Sequence, residues 1–146
     1  MPAWVYAALG ACAFFAVHYV TVRAASGRIA DAWGGLVVEV AASIGLLVLA
    51  LAGPPSGIPT TKEGLFWSAI SGLCITGGVV LLFQSLRLGG PVAGTGTIAL
   101  GGGVALASLV APFVFAEPLT PRRVLGVALG LAAVAVLATE RTAAAE

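Results

Sequence analysis

The chain has 146 residues, of which 60% are hydrophobic and only 9% are charged, with a mean hydropathy of +1.08. A soluble domain of this size needs more charge to cover its surface, so lipid is the expected solvent. Seven basic and six acidic residues leave a formal charge of +1 and lie scattered along the chain, which offers no basic field for nucleic acid.

At roughly 20 apolar residues per membrane-crossing helix, the length holds five short-looped spans and no separate soluble domain of ~50 residues or more. The first apolar run, residues 4–22, is interrupted only by His18. No positive stretch precedes it, so it is expected to be a retained span and not a secretory signal. Arg23, Arg28 and Asp31 mark a polar connection to a second run, residues 33–52, which carries Glu39 inside it. Gly53-Pro54-Pro55-Ser56-Gly57 then stops the helix, because Pro cannot continue the hydrogen-bond ladder and Gly favours the terminating turn. The third run, residues 64–86, holds only uncharged polar groups (Ser68, Ser71, Thr76, Gln84, Ser85) and ends at Arg87 and Gly89-Gly90-Pro91.

The fourth run, residues 92–115, contains Gly94, Gly96, Gly101, Gly102, Gly103 and Pro112. In lipid no water competes for the backbone, so this composition predicts a span, with an irregularity in it. Thr120 is a natural N-cap and Pro121 suits the first helical position, which starts a fifth span over residues 121–139. The last residues, Thr142 to Glu146, are expected to fray in water. None of the runs shows the period-two alternation of a membrane strand, so the expected fold class is all-α, in one membrane domain covering residues 1–146.

Glu39 is the most informative polar residue. It lies about 9 Å into its run at 1.5 Å per residue, and an ionised carboxylate at the centre of a span costs roughly 2.5–3.5 kcal/mol on insertion scales. It should therefore be neutral, paired or facing water. A proton-exchange or cation-binding site would use this preference, and hydrogen bonding to a neighbouring helix is the structural alternative. Gly35, Glu39 and Ser43 are spaced by four and form one stripe.

His18 can be a proton relay, a partner of Glu39 or an interfacial residue bonded to a carbonyl. Gln84 can donate to a ligand or satisfy a helix end. Tyr6, Tyr19 and Phe83 can line a cavity, while Trp4, Trp33 and Trp67 sit near span ends and fit an aromatic belt. Gly126 and Gly130 have the spacing that lets helices pack closely. Gly101, Gly102 and Gly103, followed by Ala107 and Ala111, make one side of the fourth span nearly free of bulk, which suits tight packing or a cavity wall. Cys12 and Cys74 each lie in an apolar run, and read as small hydrophobes and not as a disulfide or metal pair. No catalytic constellation, phosphate loop or metal-binding pair emerges, so neither an enzyme nor a cofactor is expected.

Basic residues near the span ends set orientation in a membrane. Three of them (Lys62, Arg122, Arg123) fall on the side of the N-terminus and four (Arg23, Arg28, Arg87, Arg141) on the other. With so small a bias, either the first span decides alone or both orientations are inserted.

The residues themselves resemble one EamA-type repeat of the drug/metabolite transporter superfamily. Ala116-Glu117-Pro118-Leu119-Thr120-Pro121-Arg122-Arg123-Val124-Leu125-Gly126 is similar to the family's Glu-any-Leu-Thr motif, which is followed by a basic residue or Gln and then Gly. Ala111-Pro112-Phe113-Val114-Phe115 is placed like the Pro-containing end of the fourth helix of that repeat. Phe83 to Ala93 looks like the end of its third span, and Ala25-Ser26-Gly27-Arg28-Ile29 resembles the first loop of short, single-repeat members. The resemblance covers nearly the whole chain. Ten-span members carry two repeats, the second inverted relative to the first. A single repeat therefore implies a pair of chains, most simply an antiparallel homodimer, surrounded by membrane lipid, with a path for a small-molecule substrate between the copies.

The function it implies is a secondary transporter, exporting or exchanging metabolites or drug-like solutes across the inner membrane of a prokaryote as a multi-pass protein. Many family repeats carry a basic residue near the position of Glu39, so the acid is a departure. Glu39, Ser43, His18, Gln84 and Tyr19 are the candidate substrate or proton ligands. Gly101, Gly102, Gly103, Ala107, Pro112, Gly126 and Gly130 are the candidate packing or cavity-wall residues. A non-transporting membrane subunit packed beside a different chain is the rival reading.

Overall fold

The computed structural model describes residues 2–53 and 59–139. The stop at Pro54 to Gly57, Arg141 and the tail from Thr142 to Glu146 lie outside the described residues. Five helices are long and apolar enough to cross a membrane, and no strand is present among the described residues. They are α1 (Ala3–Ala25), α2 (Asp31–Ala52), α3 (Lys62–Arg87), a composite fourth helix and α6 (Pro121–Ala138). The composite runs over residues 92–115 as α4 (Val92–Gly96), a π-helical segment (Thr97–Gly102) and α5 (Gly103–Phe115). This segment is the irregularity expected in the fourth run, and it falls on the glycine-rich stretch and not at Pro112, which sits inside α5.

α1, α2 and α3 each begin or end beyond their apolar runs. Asp31, Lys62, Glu63, Arg23 and Arg87 all occupy terminal turns, where a long side chain can leave its backbone in the helix and carry its charge outward. Local chemistry sets the ends. Thr61 accepts a hydrogen bond from the Gly64 amide at 3.0 Å and caps α3, and Thr120 accepts one from the Arg123 amide at 3.2 Å and caps α6 behind Pro121. At the far end of α3, Gly89 adopts φ +95°. Its amide donates to the Leu86 carbonyl and the Gly90 amide donates to the Ser85 carbonyl, the two bonds of a Schellman cap. The α1–α2 connection is a turn in which the Arg28 amide donates to the Ala25 carbonyl and Gly27 takes φ +77°, the third-position geometry of a type II turn. The end of α5 uses Ala116 in the left-handed region, at φ 52°.

Packing groups the chain into two compact units, one of residues Met1–Ala24 with Ser85–Glu146, the other of residues Ala25–Gln84. In the second unit α2 meets α3 at the end remote from their connecting loop. There Gly34 lies under the Phe83 ring and Gly35 against Val79 and Val80, and Val79, Leu82 and Phe83 are buried. In the first unit α6 packs chiefly on the π-helical segment, with Gly101 facing Val134. Tyr19, Val22, Leu86, Gly94, Thr95 and Ala105 are buried there. The helices otherwise present their apolar side chains outward, from Phe14 of α1 to Phe113 of α5, as a chain that has lipid or another protein for a solvent must.

Candidate functional site

Glu39 sits eight residues into α2, about 12 Å along the helix axis, at the edge of the packed end marked by Gly34 and Gly35. It is half-buried and has no hydrogen-bond or ion-pair partner among the described residues. The stripe predicted on α2 therefore grades along its length: Gly35 is buried against Val79, Glu39 is half-buried, and Ser43 is exposed. A carboxyl group placed this way is accessible and accepts no hydrogen bond from a donor among the described residues. Gln84, near the end of α3, is exposed between buried Phe83 and half-buried Ser85.

In the other unit, α1 presents His18 and Tyr19 about 10 Å before its end. Their rings meet edge to face with centroids 5.7 Å apart, and His18 is half-buried while Tyr19 is buried. Gly96 of α4 admits the Tyr19 ring, since a Cβ there would already touch its Cδ1 and Cε1 at 3.4 Å. Next to Gly96 is Thr95, a buried polar side chain at 7% exposure, whose hydroxyl lies 3.4 Å from that of Ser85. Gly90 is required beside them, because a Cβ would come within 2.5 Å of Thr95 Oγ1 and 2.9 Å of the Ser85 carbonyl oxygen. Thr95 was not singled out by sequence reasoning. The signal available was its place between Gly94 and Gly96, where two missing side chains let neighbours close over a hydroxyl.

The small residues separate into two classes. Gly101 packs toward α6, whereas Gly102 and Gly103 meet no neighbouring atom, and Gly126 and Gly130 on α6 likewise meet none. Among the described residues, then, no neighbouring helix comes within 4 Å of a Cβ built on Gly126 or Gly130. Ala107 is exposed and Pro112 half-buried on α5. Trp4, Trp33 and Trp67 are exposed close to the starts of α1, α2 and α3. Among the described residues no three His, Cys, Asp or Glu side chains converge to hold a metal ion.

Compared with protein-family models, with curated proteins and with solved structures, the chain matches none of them.

Proposed function

We propose that the protein is a secondary transporter of a small metabolite or drug-like solute, built as one EamA-type repeat and completed by a second copy inserted in the opposite orientation in a prokaryotic inner membrane. Glu39 carries the reading. A carboxyl group some 12 Å inside a membrane-crossing helix, half-buried and unpartnered among the described residues, costs insertion free energy that packing does not return, so its use lies in binding what arrives from outside. Two further features support a pair of copies around a path. One is the outward-facing apolar surface of the five helices, and the other is the near balance of basic residues on the two sides. Small residues on the fourth helix, with a π-helical segment in their midst, give that helix a place to bend between inward- and outward-open states.

The test is reconstitution of the purified chain in liposomes carrying a pH-sensitive dye, challenged in turn with amino acids, organic amines and sugar nucleotides. Solute-driven proton movement that disappears in Glu39→Gln while the pair of copies still assembles supports the reading. Absence of flux from the pure protein, together with co-purification of a different chain in fixed ratio, would replace it with the non-transporting subunit.

A further inference from the structure

We infer that a groove between α5 and α6 binds a membrane phospholipid carrying a phosphoethanolamine headgroup. The groove has a volume of about 190 Å³ and its walls are mostly carbon, with Leu109 and Ser108 of α5, Leu119 of the connecting loop, and Val124, Val127 and Leu131 of α6. Arg123 lines its upper end, and from there to Leu131 the groove follows α6 for eight residues, about 12 Å. The loop of residues 116–120 joins the ends of two membrane-crossing helices, so the rim stands at headgroup level and the floor at the depth of acyl chains.

The walls select the occupant's body. An extended peptide lodged there would leave most of its backbone groups unpaired, and a water-soluble solute would find polar groups only at Ser108 and Arg123, whereas an acyl chain needs none. The rim selects its head. Arg123 Nη2 pairs with Glu117 Oε2, and its Nη1 donates to the Pro118 carbonyl at 3.4 Å. The pair remains reachable, with the Arg123 side chain 29% and the Glu117 side chain 44% exposed. A guanidinium has five N–H donors, so Arg123 can serve a phosphate besides these partners, and the Glu117 carboxylate can accept from a primary ammonium. Phosphoethanolamine supplies both complementary charges. Phosphocholine has no N–H to give, and phosphoglycerol has no cation.

Native mass spectrometry of the detergent-purified full chain, incubated with equimolar dioleoyl phosphatidylethanolamine, phosphatidylcholine and phosphatidylglycerol, tests this. The ethanolamine lipid is expected to be retained about tenfold over the choline lipid, the scale of one charge-assisted hydrogen bond. Glu117→Gln should bring those two to parity without lowering phosphatidylglycerol retention. Val127→Trp, which fills the groove with carbon, should lower retention of all three. Circular dichroism confirms that each variant keeps its helices. Equal retention by the unaltered protein, or an ethanolamine preference that survives Glu117→Gln, overturns the proposal. So does a Val127→Trp protein that keeps its lipid but changes from dimer to monomer, since the groove would then hold a second copy.

Discussion

Gly34 and Phe83 share one volume: a Cβ built on Gly34 would stand 2.6 Å from Cε1 and 2.8 Å from Cζ of the Phe83 ring, which is itself 1% exposed. The approach of α2 to α3 depends on that missing side chain. Gly34→Ala should force the ring or the helix aside and cost about 1–3 kcal/mol, as overpacking of a filled core does. Gly45→Ala and Gly72→Ala occur where no atom lies within 4 Å, so they should be neutral or slightly stabilising through helix propensity alone. Helix loss followed by circular dichroism during titration with sodium dodecyl sulfate would separate the three. Equal midpoints for Gly34→Ala and Gly45→Ala would count against this packing.

The carbonyls that end α3 are held by side chains as well as by the glycine cap. Arg23 Nη1 donates to the Leu86 carbonyl, which also accepts from the Gly89 amide, and within the other unit the Ser26 hydroxyl donates to the Phe83 carbonyl at 3.3 Å. Arg23→Met keeps the stem and removes the donors. It should cost about 1 kcal/mol, the net value of an ordinary hydrogen bond, and should speed hydrogen exchange of the Gly89 and Gly90 amides. Unchanged exchange there would mean that the Schellman cap holds the helix end unaided.

Two left-handed positions should respond in opposite directions. Gly89, at φ +95°, has the conformation that a side chain resists, so Gly89→Ala should destabilise by roughly 1–2 kcal/mol. Ala116 already bears that strain at φ 52°. Replacing it with Gly relieves roughly 1–2 kcal/mol and adds a chain-entropy cost of about 0.5–1 kcal/mol, leaving a net gain of up to about 1.5 kcal/mol. The two variants, unfolded side by side under one detergent titration, should fall on either side of the parent.

Glu39→Gln and Glu39→Asp distinguish a titrating group from a polar filler. If the carboxyl group exchanges a proton or cation with the solute, Gln should abolish coupled flux in liposomes while leaving assembly intact. Asp keeps the charge about one bond shorter and should retain flux with altered apparent affinity. Equal transport by all three forms would remove Glu39 from the pathway. The position is half-buried but unpartnered among the described residues, so neither substitution breaks a hydrogen bond or ion pair there, and each should cost no more than about 1 kcal/mol of stability.

The sequence makes the helices legible because burial in lipid demands long apolar runs, and because Thr120-Pro121 and Gly89-Gly90-Pro91 carry start and stop chemistry in the residues themselves. The helix ends run two or three residues past those runs, since Arg23, Asp31, Lys62 and Glu63 tolerate a terminal turn at the interface. Which glycines meet a neighbour is not legible. Gly34 and Gly96 each accept an aromatic ring, while Gly126 and Gly130, with the more suggestive spacing, face open space. Spacing along one helix says which residues share a face, and it takes the partner helix to say which face is used. Thr95 is half-hidden for the same reason: Gly94 and Gly96 mark room for a neighbour beside it, but not that the neighbour is Ser85, whose hydroxyl lies 3.4 Å away.

Orientation can be tested through the loops. The basic residues flanking the spans number three on one side and four on the other, so reporters fused after the last span, one active only in the cytoplasm and one only outside it, should both give signal. The balance should also be easy to tip. Thr60→Lys and Glu63→Lys, combined with Arg28→Gln, change the count to five on the side that holds Lys62, Arg122 and Arg123 against three on the other, and should draw the richer side into the cytoplasm. Because five spans is an odd number, the fusion point then lies outside, so the external reporter should rise as the cytoplasmic one falls. If two oppositely inserted copies form the transporter, flux should fall in the same cells, and co-expression of a form biased the other way should restore it. A single fixed orientation in the unaltered protein, with flux intact, would instead require copies that face the same way.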